Sequence, residues 1–239
     1  MSIFYDFHLH SCLSPCGDDE MTPFNLVNMA ALLGYDAIAL TDHNSALNCP
    51  SALKAGEKAG ITVIPGMELC TCEEIHTVCL FETLEGAMEF SDYVHTTLPP
   101  IENRPDIFGN QIVTDSQDNP VSREKLLLTT ASSISIGEVS DSVKEYGGIC
   151  YPAHIDRASY SIISALGDFP SEYGFKFAEI TEKGDKNEFR EKYSALKNAE
   201  FIVSSDSHYL ENMPDPKHKL PCGNSVREIM EYFRGNENI

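Results

Sequence analysis

The sequence predicts an α/β fold built on a barrel-like or doubly wound, mainly parallel sheet. Three observations point there. Seven or so short apolar runs of strand length alternate with segments of helical pattern across the 239 residues. Some of those runs are apolar almost without interruption, as strands covered on both faces are. Imidazoles and carboxylates cluster at the carboxyl ends of the runs, where barrel enzymes gather their chemistry.

The first strand reads from Ile3 through Phe7, and "DFHLHS" at its end puts His8 and His10 on one face, because strand side chains alternate. Thr22 then offers a cap, Pro23 a first helical position and Gly34 a stop. The strand "DAIAL", 36–40, ends in "TDHNS", and a helix follows over 50–59. Strands "ITVIPGMEL", 61–69, and "IHTVCLF", 75–81, precede a helix over 84–97. Residues 98–121, rich in Pro, Asn and Asp, read as a long excursion whose Ile107, Phe108 and Ile112 predict packing against the body. Helical pattern resumes over 122–145, and "GGICYPAH", 147–154, gives a buried strand ending in histidine. Helices near 159–166, 187–199 and 224–234 interleave with strands "KFAEI", 176–180, and "FIVSSDSH", 201–208. The expected organisation is one domain over 1–239 with an insertion or excursion at about 98–145.

Composition excludes several classes. No stretch approaches the roughly 20 apolar residues of a membrane helix, and the first residues lack the basic and apolar regions of a signal peptide, so a cytoplasmic location is expected. Eight cysteines in a chain with ample apolar residues read as reduced thiols rather than a disulfide framework. Cys12, Cys16, Cys70, Cys72 and Cys150 lie near strand ends and read as core or pocket lining. With 37 acidic against 17 basic residues the net charge is −20, which repels a polyanion and argues against groove binding. A small phosphate, or an oligonucleotide end presented to bound cations, is still allowed.

Taken singly, each polar strand end has an ordinary explanation. An HxH pair can be chance, Asp42 can cap a turn, Glu68 can follow a Pro-Gly turn, and "SDSH" can cap a helix. Taken together, they supply imidazoles and carboxylates with no thiolate requirement, the donor set of zinc, manganese or iron(II) in multi-metal hydrolases.

The ordered series "DFHLHS", "TDHN", "PGMEL", "EIHTV", "PAH" and "SSDSH" resembles the PHP (polymerase and histidinol phosphatase) superfamily of metal-dependent phosphoesterases. The resemblance runs from Asp6 to His208, with no family motif between 98 and 145. It implies a distorted (β/α)7 barrel carrying up to three metals at the carboxyl ends of its strands. Position by position, it implies His8 and His10 as the HxH ligands, His43 as the second-motif histidine and Glu68 as a metal-bridging carboxylate. It further implies His76 and His154 as single histidines, and Asp206 and His208 as the closing pair. Similar members carry an aspartate five residues before the proline that opens the first helix. Counting back from Pro23 gives Asp18, with Asp19 the competing choice.

On that ligand set, two or three divalent cations (Zn, Mn or Fe) would activate water toward a phosphate ester, with Glu68 bridging. Asp42 is expected to orient a ligand imidazole, although a turn cap fits it equally, and Arg157 to hold phosphate charge, with Lys183 second. His95 and His218 read as solvated surface groups. The leading expectation is hydrolysis of a small phosphorylated substrate, a nucleotide or sugar phosphate. A nuclease-like phosphodiesterase acting on oligonucleotide ends and a non-catalytic metal-stabilised module are the alternatives. No membrane partner is expected.

Overall fold

The computed structural model describes residues 1–235. Three parallel strands begin the sheet, β1 (Ile3–Leu9), β2 (Ala37–Leu40) and β3 (Thr62–Cys70). The fourth, β4 (His76–Phe81), runs antiparallel to β3, and its other edge pairs antiparallel with β7 (Gly148–Pro152). The parallel pair β8 (Phe177–Ile180) and β9 (Glu200–Val203) bridges the two ends of this curl. Ile155 N donates to Glu179 O at 2.8 Å on one side, and Leu9 bridges Ser207 on the other. Seven strands thus form a distorted barrel. A two-residue β10 (Lys219–Leu220) adds to the outer edge of β1, and β5 (Ile112–Thr114) with β6 (Pro120–Arg123) forms a separate hairpin.

Alternation along the strands divides the apolar residues into two cores. Ala37 and Ala39 of β2 share a cluster with Phe7, Ile64, Leu80, Tyr151, Phe177 and Ile202. Ile38 and Leu40 join instead the layer under the helices α1 (Pro23–Leu33), α2 (Cys49–Ala59), α3 (Leu84–Thr97) and α5 (Ile136–Glu145). Helix α8 (Val226–Arg234) packs on the first cluster through Phe233, whose ring lies 5.7 Å from that of Tyr151 and 4.9 Å from that of Phe177. Burying such a ring stabilises by roughly 1.5–3 kcal/mol, and these rings fill the barrel with side chains. Short helices α4 (Pro105–Phe108), α6 (Ile162–Leu166) and α7 (Lys186–Lys192) complete the set.

Local chemistry explains most boundaries. Thr22 Oγ1 accepts from Asn25 N, Pro23 opens α1, and Gly34 closes it at φ +95°. Residues 122–135 are not helical as the sequence suggested: Leu126, Leu127 and Leu128 are adjacent rather than spaced by a helical turn. Ser135 then starts α5 with a Ser135/Glu138 capping box. The expected helix over 187–199 ends at Lys192 and passes into a 3-10 turn over Ser194–Lys197. The strand expected over 201–208 stops at Val203, because Asp206 takes a left-handed φ of +53°. Among the described residues no helix is long and apolar enough to cross a membrane.

Candidate metal centre

Glu68, fully buried near the end of β3, is the hub of the polar rim. Its Oε1 lies 3.1 Å from His8 Nε2, 2.8 Å from His76 Nδ1 and 3.1 Å from His154 Nε2. Its Oε2 lies 2.9 Å from His43 Nδ1 and 3.3 Å from His10 Nε2. One carboxylate therefore faces five imidazoles, divided three to two between its oxygens. Asp206 adds a second anion, with Oδ1 3.0 Å from His10 Nε2 and 3.5 Å from His8 Nε2. His208 sits beside them, its ring stacked on His10 at 4.1 Å.

The topology brings these groups together. His8 and His10 end β1, at a register irregularity between Asp6 and Leu9 where the strand is re-aimed. His43 follows β2, His154 follows β7, and Asp206 and His208 follow β9. His76 is the exception to the expected pattern of strand carboxyl ends. It opens β4, and because β4 is antiparallel, its amino end lies on the same rim. His154 and Asp206 both hold left-handed backbones, at φ +29° and +53°, a strain of about 1–3 kcal/mol each that recurs at functional sites.

Electrostatics reinforce the cluster. Burial would raise the Glu68 carboxyl, but His76, His8, His43 and His10 together hold it well below its ordinary range. Burial opposes protonation of His8, yet Glu179, Glu68 and Asp206 raise its pKa well above 6.5. His43 is raised likewise, against burial, by Glu68 and Cys16. For His76 burial prevails over Glu68, and its pKa is lowered.

Whether a divalent cation fits can be judged from the unsatisfied atoms. His8 Nε2, His10 Nε2, His43 Nδ1, Glu68 Oε2 and Asp206 Oδ1 are buried and crowd within 2.9–3.5 Å of one another or of Glu68 Oε1 without hydrogen-bond geometry, a costly arrangement unless another group satisfies them. The same residues fall into three groups whose donor atoms lie within 4.8 Å of one another: His8/His10/Glu68/Asp206, His43/Glu68/His76 and His10/His43/His208. Ligands about 2.1 Å from a shared tetrahedral ion sit roughly 3.4 Å apart, so these spacings fit divalent cations.

Two sequence-predicted residues stand elsewhere. Asp18 joins none of these groups; its Oδ1 accepts from Glu20 N at 2.8 Å within its own loop, while its N donates to His208 O at 3.0 Å. Asp19 is exposed and binds Asn110 Nδ2. Asp42 touches no imidazole directly; it accepts from Ser11 N at 2.7 Å and from Ser14 Oγ at 2.8 Å, and Ser14 Oγ in turn meets His10 Nδ1 at 2.9 Å. Arg157 Nη1 lies 2.6 Å from Asp206 Oδ2, with the side chain half exposed at the mouth. Lys183 is exposed after β8, His95 lies near Glu124, and His218 pairs with Glu182.

Glu179 went unassigned in the sequence, and Cys16 reads there as core or pocket lining. Glu179, buried in β8, places Oε1 2.9 Å from His8 Nδ1 and accepts from His154 N at 3.1 Å. A glutamate inside the apolar "KFAEI" was its only signal. Cys16 lies with Sγ 3.2 Å from His43 Nε2; burial would raise its thiol, but His43 and His208 bring it down to about 5. A cleft of about 410 Å³ opens here, lined by Cys16, Asp206, His208 and Tyr209. Tyr160, 45% exposed, stacks on His76 with ring centres 4.6 Å apart.

Residues 6–211 match the family model described as PHP domain. Over 64 residues the chain is 45% identical to a DNA polymerase III PolC-type of Bacillus cereus, covering 26% of this chain and 4% of the polymerase. Over 79 residues it is 32% identical to the 5'-3' exoribonuclease Rnm of Salmonella typhimurium, covering 32% of this chain and 26% of that protein. The chain thus aligns with only a small part of either relative. The lesion-specific endonuclease PfuEndoQ from Pyrococcus furiosus superposes on all of this chain and 57% of its own with a TM-score of 0.68 at 19% identity, a likeness of fold. The barrel, the histidine-rich rim and the match over 6–211 agree: this chain belongs to the PHP domain family.

Proposed function

We propose that this protein is a metal-dependent phosphodiesterase that hydrolyses the ends of single-stranded oligonucleotides, using two or three divalent cations held by His8, His10, His43, Glu68, His76, His154, Asp206 and His208. The observation that carries the choice of substrate is Tyr160, an exposed ring stacked on His76 three residues after Arg157. A base stacked on such a ring gains roughly 1–3 kcal/mol whatever its identity, and its phosphate would then lie toward Arg157 and the cluster. The exoribonuclease Rnm and the lesion-specific endonuclease PfuEndoQ, by their names, support the same reading.

Bound divalent cations supply Lewis acidity toward phosphate oxygens and the attacking water. The chain's own residues do the placing. Glu68 offers two oxygens to adjacent cation positions, Glu179 fixes the His8 ring, and Arg157 exchanges Asp206 for a phosphate oxygen. Segment 98–145 serves as an insertion that braces the loop carrying Cys16. The net charge of −20 confines nucleic acid to a strand end drawn to the cations, since a longer polyanion meets repulsion. That same charge favours a second reading, hydrolysis of a small phosphate monoester such as a nucleotide or sugar phosphate.

The test uses manganese-, zinc- and iron-loaded protein with end-labelled RNA and DNA oligonucleotides, mononucleotides and sugar phosphates, beside His154→Ala. Stepwise shortening of the oligonucleotides by the wild type alone is the expected result. Orthophosphate released from monoesters while oligonucleotides stay intact would move the assignment to the second reading.

A further inference from the structure

The cation group formed by His10, His43 and His208 contains three imidazoles and no anion of its own. The loop from β1 to α1 passes directly over it. Asp18 N donates to the His208 carbonyl at 3.0 Å, tying that loop to the ligand segment. Gly17 allows the tight path, since a Cβ there would come within 2.6 Å of Ser11 O. The side chain that this path delivers is Cys16. Its Sγ lies 3.2 Å from His43 Nε2, and Cys16 lines the same cleft as His208. His10 Nε2, completely buried and without a hydrogen-bond partner, belongs to the same group.

Granted the metal-dependent reading above, we propose that Cys16 is a thiolate ligand of the cation held by His10, His43 and His208, making this a sulfur-containing position in an otherwise nitrogen and oxygen centre. An N···S distance near 3.2 Å, in a metal-free hydrogen bond, widens by only a few tenths of an ångström to admit an ion at about 2.1 Å from nitrogen and about 2.3 Å from sulfur. Coordination would release to solvent the proton that Cys16 and His43 share in their hydrogen bond, with the sulfur donating a lone pair to the cation. Thiolate softness selects zinc or iron(II) over manganese at this position, while the carboxylate-rich positions around Glu68 and Asp206 are indifferent to that choice. Cys72, whose neighbouring charges are Glu73 and Glu138 rather than imidazoles, serves as the control cysteine.

The experiment is reconstitution of the full chain with cobalt(II), reading cobalt content by elemental analysis and the absorption spectrum together. Wild type and Cys72→Ser are expected to show a near-ultraviolet sulfur-to-cobalt charge-transfer band. Cys16→Ser is expected to lose that band and about one cobalt equivalent, and Asp18→Asn to keep both. Cobalt bound by the wild type without the band overturns the ligand assignment and leaves the metal-dependent reading standing. A band that survives in Cys16→Ser does the same. Failure of the wild type to bind any cobalt overturns both.

Discussion

Glu179 Oε1 lies 2.9 Å from His8 Nδ1, and both side chains are buried. With a cation bound, this contact would keep the proton on Nδ1 of a neutral ring and free Nε2, which points toward Glu68 and Asp206, as the lone-pair donor. The same oxygen accepts from His154 N, so it also helps hold the left-handed turn that carries a second ligand. Glu179→Gln keeps a carbonyl oxygen for the backbone contact and loses the charge. It is expected to reduce cation affinity about 10–100-fold, read by competition with a chelating dye, with a near-normal melting temperature. An unchanged affinity would remove Glu179 from the centre.

The pH dependence of the metal-free protein follows from the same cluster. His8 and His43 are raised above 6.5, so their contribution to stability is fully present below that value and is lost as pH rises through their folded pKa values. Glu68 and Asp206 are lowered from 4.5 and 3.8, so theirs is present above those values and is lost only as pH falls through the lowered ones. His76, lowered, acts in the opposite sense below pH 6.5 but is outweighed by His8 and His43. Chelated protein should therefore melt highest between about pH 4.5 and 6.5 and weaken on the alkaline side, while cations that replace the protons flatten that decline. Thermal melts across pH, with and without chelator, test this. A chelated protein that gains stability above pH 6.5 contradicts it.

How much of this was legible beforehand depends on the kind of residue. His8, His10, His43, His76, His154 and His208 stood out because each imidazole closes or opens an apolar run, a pattern that survives without knowledge of pairing. The direction of β4 did not, since an antiparallel strand has the same local pattern as a parallel one. Asp18 was assigned by counting from Pro23, yet the conformation of the 11–21 loop depends on contacts such as Asp18 N with His208 O, which join residues 190 positions apart. The helical reading of 122–145 is met over Ile136–Glu145 and fails over 122–135 for a similar reason: Asn44 Nδ2 binds the carbonyls of Leu128 and Thr130, drawing that segment away from helix.

Arg157 distinguishes substrate binding from cation binding. Its side chain is 44% exposed and its guanidinium touches Asp206 Oδ2, so it could neutralise the centre or await a phosphate. Phosphate contact predicts that Arg157→Ala leaves cation content unchanged and raises KM for an oligonucleotide, lowering kcat/KM about tenfold, with partial recovery in Arg157→Lys. Altered cation content with an unchanged KM would make it part of the metal centre instead.

Gly109 tests whether the 98–121 excursion supports the site. It holds φ +106°, and a Cβ there would lie 1.9 Å from Pro15 O, next to Cys16. Ile112 N donates to Cys12 O at 2.8 Å, and Asn110 binds Asp19, so a displaced Gly109 has no route of relief that spares the β1–α1 loop. Gly147, at φ +74° with nothing within 4 Å of a Cβ, carries the backbone penalty alone. Gly147→Ala should cost about 1 kcal/mol in urea denaturation, the strain of a left-handed alanine. Gly109→Ala should cost roughly 2–4 kcal/mol, because the contact with Pro15 is added to that strain. It should also weaken cation binding, whereas Gly147→Ala leaves it intact. Equal costs and equal cation affinities in the two variants would mean that the excursion only covers the loop and does not hold it in place.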